Sequence, residues 1–262
     1  MNPFAELHKG PDLLILPNAW DAGSARVIEL AGAKAIATSS AAVAWSHGYP
    51  DGEALPFDVL MNTVREIRRV VEIPITADIE AGYDDEDDDT VGDNVEYLID
   101  AGASGINIED GKGAPELLRD KIAAIKEQHG DEIWVNARTD VYLHNLASGE
   151  AAYEETVRRA RLYREAGADS IFVPFAGEDA LLVRLVKAID APLNVIAMAG
   201  LPAAARLKEI GVRRLSAGIG VAKVSLNRTF ELAQAFLSDG GSEPLTVPSL
   251  IPKGLNAVMR RD

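Results

Sequence analysis

The feature that most restricts the fold of this chain is a unit that recurs along it: a short apolar run followed by a stretch with apolar residues three and four apart. Apolar runs of strand length lie at residues 13–16, 35–38, 73–78, 105–109, 133–137, 170–174, 193–197 and 214–217. Helical patterns separate them at 22–31, 58–71, 93–100, 115–128, 151–165, 179–188 and 203–210, and 221–237 reads as a long last helix. Several joints share one form: Ala31-Gly32-Ala33, Ala101-Gly102-Ala103 and Ala166-Gly167-Ala168, with Ile210-Gly211-Val212 as a variant. Glycine just past a helix takes up the left-handed conformation that closes it, so these joints mark an internal repeat. Eight such units in 262 residues predict an α/β fold, a (β/α)8 TIM barrel with an extra C-terminal helical segment. The alternative is a doubly wound open sheet. It needs a glycine-rich phosphate fingerprint after the first strand, and Pro17-Asn18-Ala19-Trp20-Asp21 is not one. No linker or composition break divides the chain, so residues 1–262 are read as a single barrel domain. Its proline-bearing tail, from position 240 onward, is placed to pack on a neighbouring subunit.

Charge and composition narrow the function. A net charge of −15 argues against nucleic-acid binding, which needs a basic footprint. An anionic substrate would then need a local positive centre, either a metal or a specific arginine. The absence of cysteine excludes disulfides, thiolate metal sites and a thiol nucleophile. No run of about 18 apolar residues is present, so no membrane span is expected. The N-terminal residues carry no basic region followed by an apolar stretch, which makes a cytoplasmic location the expectation.

Two strands end abruptly in acids: Ile75-Thr76-Ala77-Asp78-Ile79-Glu80 and Gly105-Ile106-Asn107-Ile108-Glu109-Asp110. In a parallel barrel these C-terminal strand ends build the active site. Gathered carboxylates suit a hard cation, Mg2+ or alternatively Mn2+. Asp78 and Glu80 are two apart and would share a face if the strand continued. Glu109 closes the next strand at the same level, and Asp51 lies in the turn-rich Gly48-Tyr49-Pro50-Asp51-Gly52. Together they form a candidate acidic ring, although any one of them alone is more commonly a helix cap or a solvated acid. Arg138 closes the fifth strand, in Asn136-Ala137-Arg138-Thr139-Asp140. It can hold a substrate carboxylate by two parallel hydrogen bonds, or pair with Asp140 or Glu109. In Thr38-Ser39-Ser40-Ala41 small residues let backbone N–H groups approach an oxyanion, or simply cap a helix. His47 is the one histidine near the proposed mouth and a candidate proton donor. The run Asp84-Asp85-Glu86-Asp87-Asp88-Asp89 reads as a solvated loop or helix start and lacks the pattern of a calcium loop. Ser216-Ala217-Gly218-Ile219-Gly220 offers a phosphate site or, more simply, a tight strand-to-helix turn.

Taken in order, these segments resemble the isocitrate lyase/phosphoenolpyruvate mutase superfamily over roughly residues 12 to 240. The likeness is carried by Pro17-Asn18-Ala19-Trp20-Asp21-Ala22-Gly23-Ser24-Ala25, Thr38-Ser39-Ser40-Ala41, Pro50-Asp51-Gly52, Ala77-Asp78-Ile79-Glu80-Ala81-Gly82-Tyr83, Ile108-Glu109-Asp110 and Asn136-Ala137-Arg138-Thr139-Asp140. The resemblance implies a barrel that binds Mg2+ and a 2-oxo acid. Asp78 would be the direct metal ligand, and Asp51, Glu80 and Glu109 would hold metal-bound waters. Arg138 and the backbone at Ser39, Ser40 and Ala41 would hold the substrate. It also implies a homo-oligomer, a dimer or a tetramer, with a terminal helix exchanged between subunits.

One departure matters. The family's lyases carry a Lys-Lys/Arg-Cys-Gly-His loop after the fourth strand, with the cysteine as catalytic acid, and its mutases carry Lys-x-x-Asn-Ser there. Here the loop is only Gly111-Lys112-Gly113-Ala114-Pro115. The expected activity is therefore Mg2+-dependent cleavage of a C–C bond of a small 2-oxo acid through a pyruvate-type enolate, in the manner of an oxaloacetate decarboxylase. The alternatives are a phosphonomutase-like enzyme of phosphoenolpyruvate or phosphonates, and a non-catalytic 2-oxo-acid-binding barrel.

Overall fold

The computed structural model describes residues 2–83, 88–251 and 254–259. All strands lie in one sheet and all pairings are parallel. They are β1 (Leu14–Leu16), β2 (Asn18–Ala19), β3 (Ile36–Thr38), β4 (Ile75–Asp78), β5 (Gly105–Glu109), β6 (Trp134–Arg138), β7 (Ser170–Phe172), β8 (Leu193–Ile196) and β9 (Arg214–Ser216). The order is β1-β9-β8-β7-β6-β5-β4-β3-β2. The two ends of that order, β1 and β2, are consecutive in the chain and separated only by Pro17. The sheet therefore curls into a nearly closed TIM-like barrel. Each predicted strand is present, and the first is broken in two at a residue with no N–H to donate to a ladder. Its first part pairs with β9 and its second with β3.

The helices are α1 (Pro3–Glu6), α2 (Ala22–Leu30), α3 (Ser40–Ser46), α4 (Phe57–Val70), α5 (Asp88–Asp100), α6 (Pro115–His129), α7 (Gly149–Glu165), α8 (Asp179–Ala188), α9 (Ala204–Ile210), α10 (Gly220–Asp239) and α11 (Leu255–Val258). The amphipathic helices form for the expected reason: in α4, Leu60, Val64 and Ile67 are fully buried at four- and three-residue spacing. The joint glycines Gly32, Gly102, Gly167 and Gly211 have φ of 98°, 104°, 111° and 103°, as a helix-closing role requires. The short α1, α3 and α11 carried no periodic signal and were not expected. Most of the acidic run, residues 84–87, lies outside the described residues. The Ser216–Gly220 stretch is a turn: Gly218, at φ 57°, donates its N–H to Asn18 Oδ1 at 2.8 Å.

The inside of the barrel is layered along its axis. At the N-terminal end α1 forms a floor, with Asn2 capping it and also tying it to the carbonyls of Ser104 and Glu132. Phe4 is fully buried beneath Gly105, where an added Cβ would lie 2.9 Å from its ring. Above the floor runs a polar layer. Asn136 donates to Asn107 Oδ1 (2.8 Å) and Asn194 Oδ1 (3.0 Å) and accepts from Ser170 Oγ (2.7 Å). The C-terminal end carries the acids.

Candidate active site

Each candidate residue reaches the mouth by a local device. Asp78 is the last residue of β4. Its N–H donates to Thr38 Oγ1 (2.8 Å), and its Oδ2 accepts the N–H of Ser40 (3.2 Å) at the start of α3. Glu80 arrives differently from the expectation. The strand stops at Asp78, and Glu80 sits in the following turn at φ 51°, so strand alternation does not place it. It is held by the backbone N–H of Glu53 (2.8 Å) and the hydroxyl of Tyr83 (3.1 Å). The Glu53 contact draws the loop that bears Asp51 over the end of β4. Glu109 ends β5 and pairs with Arg138 at the end of β6.

Arg138 is held rigidly. Asp140 accepts from its Nε (2.6 Å) and Nη2 (3.0 Å). The backbone N–H of Asp140 donates to Asp110 Oδ1 (2.8 Å), and Asp110 Oδ2 accepts from Tyr163 (2.6 Å) and Arg159 (2.8 Å). Both ion pairs offered by the sequence, to Asp140 and to Glu109, are present together. Asp110, Arg159 and Tyr163 were not singled out beforehand. Their signal was faint: a second acid after Glu109 and a buried Arg and Tyr four apart on α7.

A cavity of about 230 Å3 opens at this end, and its lining includes Asp51, Asp78, Arg138, Ser39, Ser40 and Ala41. Glu80 and Glu109 do not line it and stand beside it. His47 is elsewhere. Its Nε2 lies 3.1 Å from Thr63 Oγ1 on α4, and it does not line the cavity. The reason is that α3 continues to Ser46 and carries His47 past the mouth.

The electrostatics of the mouth are those of a cation site. Burial raises the pKa of Asp78, and Asp51 adds to this, while Arg138 and the Ser40 N–H oppose it. Burial, with help from Asp51 and Asp78, brings Glu80 up to about 7. Burial, with Asp78, Asp140 and Glu80, brings Glu109 up to about 9 against the pull of Arg138. Arg138 itself is held firmly protonated by Glu109 and Asp140 despite burial. Glu80 and Glu109 are thus both held up by neighbouring acids as well as by burial, with Arg138 drawing down Asp78 and Glu109. Among the described residues no three His, Asp or Glu side chains come close enough to hold an ion directly between them. That fits a cation with one direct carboxylate, such as Mg2+, which keeps several waters, and the all-oxygen donor set fits a hard ion.

The family model described as phosphoenolpyruvate phosphomutase matches residues 4–237. The chain belongs to the isocitrate lyase/phosphoenolpyruvate mutase superfamily. It is an enzyme of that superfamily, whose members are Mg2+-dependent lyases and mutases. An uncharacterised protein of Mycobacterium tuberculosis, Rv1998c, is 36% identical over 94% of this chain and 92% of its own. A solved Burkholderia cenocepacia structure, provisionally named a phosphonomutase, is 37% identical over 88% of this chain and 97% of that one, with a TM-score of 0.83. Several bacterial and archaeal 2-methylisocitrate lyases are 28–33% identical, and the chain spans 55–65% of their length. A phosphonopyruvate hydrolase solved with oxalate and Mg2+ shares the superfamily fold at 24% identity and a TM-score of 0.83, covering 95% of this chain and 91% of that one.

Proposed function

We propose that this superfamily member is a Mg2+-dependent lyase that breaks a C–C bond of a small 2-oxo acid through a pyruvate-type enolate, as an oxaloacetate decarboxylase does. One observation carries the reading: Asp78 and a rigidly fixed Arg138 face one small cavity whose described lining holds no Cys, His, Lys or Tyr. Decarboxylation needs no proton donor before the bond breaks, so it suits such a lining best; retro-aldol cleavage passes through the same enolate.

Asp78 would hold Mg2+ directly, with Asp51, Glu80 and Glu109 around it. When bound, the ion supplies positive charge to the substrate's carboxylate and oxo oxygens as negative charge develops there. Arg138, locked by Asp140, orients the substrate carboxylate, and the backbone at Ser39, Ser40 and Ala41 closes the other side of the oxo group. The small cavity limits water. The test is pyruvate and CO2 release from oxaloacetate above the rate that free Mg2+ gives, compared with Asp78→Ala. Equal rates in the two proteins would end the reading.

The phosphonomutase-like alternative is favoured by the names of relatives alone. A phosphonate calls for several cations, and Arg138 is the one cationic side chain among the described residues lining the cavity.

The same reading includes a homo-oligomer. On α10, Leu226, Phe230 and Leu237, four and seven residues apart, leave 53%, 63% and 84% of their surface exposed, an apolar face that a second copy of this chain would cover. No described helix is long and apolar enough to cross a membrane.

A further inference from the structure

The polar layer inside the barrel fixes one amide whose donor stays open to the cavity. Asn194 Nδ2 donates to the carbonyls of Val195 (2.8 Å) and Arg214 (3.2 Å), which only accept, so its Oδ1 is the atom that faces Asn136. Asn136 Nδ2 donates to that oxygen at 3.0 Å and to Asn107 Oδ1 at 2.8 Å. Arg214 Nη2, which can only donate, meets the same Asn107 oxygen at 3.2 Å. The orientation of the Asn107 amide is thereby settled. Its Nδ2 meets no acceptor among the described residues, and it is not among their sealed orphan atoms. Asn107 lines the cavity that Asp78 and Arg138 also line, and it pairs in register with Asp78 on the neighbouring strand. Asn18, which lines the same cavity, is instead engaged at both ends of its amide, by the Thr38 carbonyl (2.7 Å) and the Gly218 N–H (2.8 Å).

Arg214 is an independent observation. It is 1% exposed, its Nε and Nη1 meet no acceptor, and among the described residues it forms no ion pair. A buried cation so poorly satisfied is costly, and an apolar side chain in its place is often neutral or stabilising. What the cation adds lies in its one hydrogen bond. That bond draws electron density toward Asn107 Oδ1 and makes the N–H groups on Nδ2 stronger donors.

We propose that Asn107 is a catalytic residue, donating a hydrogen bond from Nδ2 to the oxo oxygen of the bound 2-oxo acid, and that Arg214 is its positioning residue. This rests on the assignment of Asp78 and Arg138 to a 2-oxo acid and adds a residue to that site. Arg138 takes the substrate carboxylate in that reading, so the oxygen left to a donor level with Asp78 is the oxo oxygen. As the C–C bond breaks, its electron pair moves into the enolate, CO2 departs, and the former oxo oxygen gains negative charge. Water later returns a proton to the carbon. A donor already fixed by Asn136 and Arg214 meets that charge without reorganising. Because the bond strengthens only as the charge develops, losing it lowers kcat more than it raises KM.

The experiment is steady-state turnover of oxaloacetate by the full chain with Mg2+, with calorimetric titration of oxalate and of pyruvate alongside. Oxalate carries negative charge where the enolate does, and pyruvate does not. Asn107→Ala should lower kcat about a hundredfold with KM changed less than about threefold. The same variant should weaken oxalate about thirtyfold and pyruvate less than about threefold. Arg214→Met keeps the Asn136 contact and should lower kcat about tenfold, with a smaller loss of oxalate affinity. If either single variant folds poorly, Asn107→Ala with Arg214→Met removes both partners together and should show the oxalate loss of Asn107→Ala. An unchanged preference for oxalate over pyruvate in Asn107→Ala or in the double variant overturns the inference and leaves the 2-oxo acid site standing, since a purely structural asparagine predicts it. A raised KM with kcat intact overturns it as well. If neither oxalate nor pyruvate binds the unaltered chain in the presence of Mg2+, both readings fall.

Discussion

The two ends of this barrel each bury ionisable groups, and they do so for opposite ends. At the floor, His8 stacks on Trp134 with ring centroids 4.3 Å apart and meets the edge of Phe4 at 4.8 Å. Above Phe4, at 5.6 Å, lies the fully buried guanidinium of Arg214, whose one hydrogen bond runs to Asn107. Burial pushes Arg214 down to about 9, and burial together with Arg214 pushes His8 down to about 4. The floor is an aromatic plug beneath one buried cation, whose charge Asp78 helps to hold. At the mouth the excess runs the other way, with Glu109, Asp140 and Asp78 acting on Arg138 and Glu80 close by. A plug needs nothing more to be stable, whereas a cation would relieve the acids of the mouth, as the proposed function requires. On the proposed function the C-terminal end is the working end, in line with the general rule for such barrels.

Substitutions at the two ends should therefore separate activity from stability. Asp78→Ala should lower turnover of a 2-oxo acid by at least about a thousandfold, since several kcal/mol of charge stabilisation goes with the ion. Its melting temperature in chelator should not fall, because one opposed acid is gone. Phe4→Ala should do the reverse, costing about 3–5 kcal/mol in a denaturant titration while KM stays the same. Arg138→Lys keeps the charge and loses the fork that Asp140 fixes, so kcat/KM should drop about a hundredfold in steady-state assays. A stability loss at Asp78, or an activity loss at Phe4 without unfolding, would erase the contrast.

The pH response sharpens it. His8 is neutral in the folded chain, with a pKa of about 4 against 6.5 when free. Its contribution is whole above pH 6.5 and is lost as pH falls through 4, about 3 kcal/mol in all. Glu80 and Glu109 lie at about 7 and about 9 when folded, above the usual 4.5. Their ionisation penalises the metal-free fold as pH rises from 4.5 to 9. In chelator, melting temperature should thus fall toward both acid and alkali, and Mg2+ should flatten the alkaline side alone. His8→Phe should flatten the acid side. The smallest effect concerns assembly: Phe230→Asp should shift sedimentation toward the monomer with turnover reduced less than threefold, about half a kcal/mol.

The barrel was legible because its signals are local and repeated. Continuous apolar strands, helical spacing and four joint glycines each state their conformation within a few residues. The acids Asp78 and Glu109 were legible because a strand that ends in a carboxylate is an exception to its own pattern. What could not be read lay in turns and in contacts between distant segments. Glu80 was placed by strand alternation, but a left-handed turn delivers it. His47 was read as near the mouth, and at the end of α3 its ring meets Thr63 on α4. Asp110, Arg159 and Tyr163 lock Arg138 through partners 49 and 53 residues apart, a distance over which sequence spacing says nothing.

A crystal structure of the full chain grown with Mg2+ and oxalate tests the central claim most directly. The account predicts an ion on the Asp78 carboxylate, with Asp51, Glu80 and Glu109 reaching it through water, and oxalate lying between that ion and Arg138. An ion bound elsewhere, or oxalate seated away from Arg138 with the mouth acids unmoved, would contradict it.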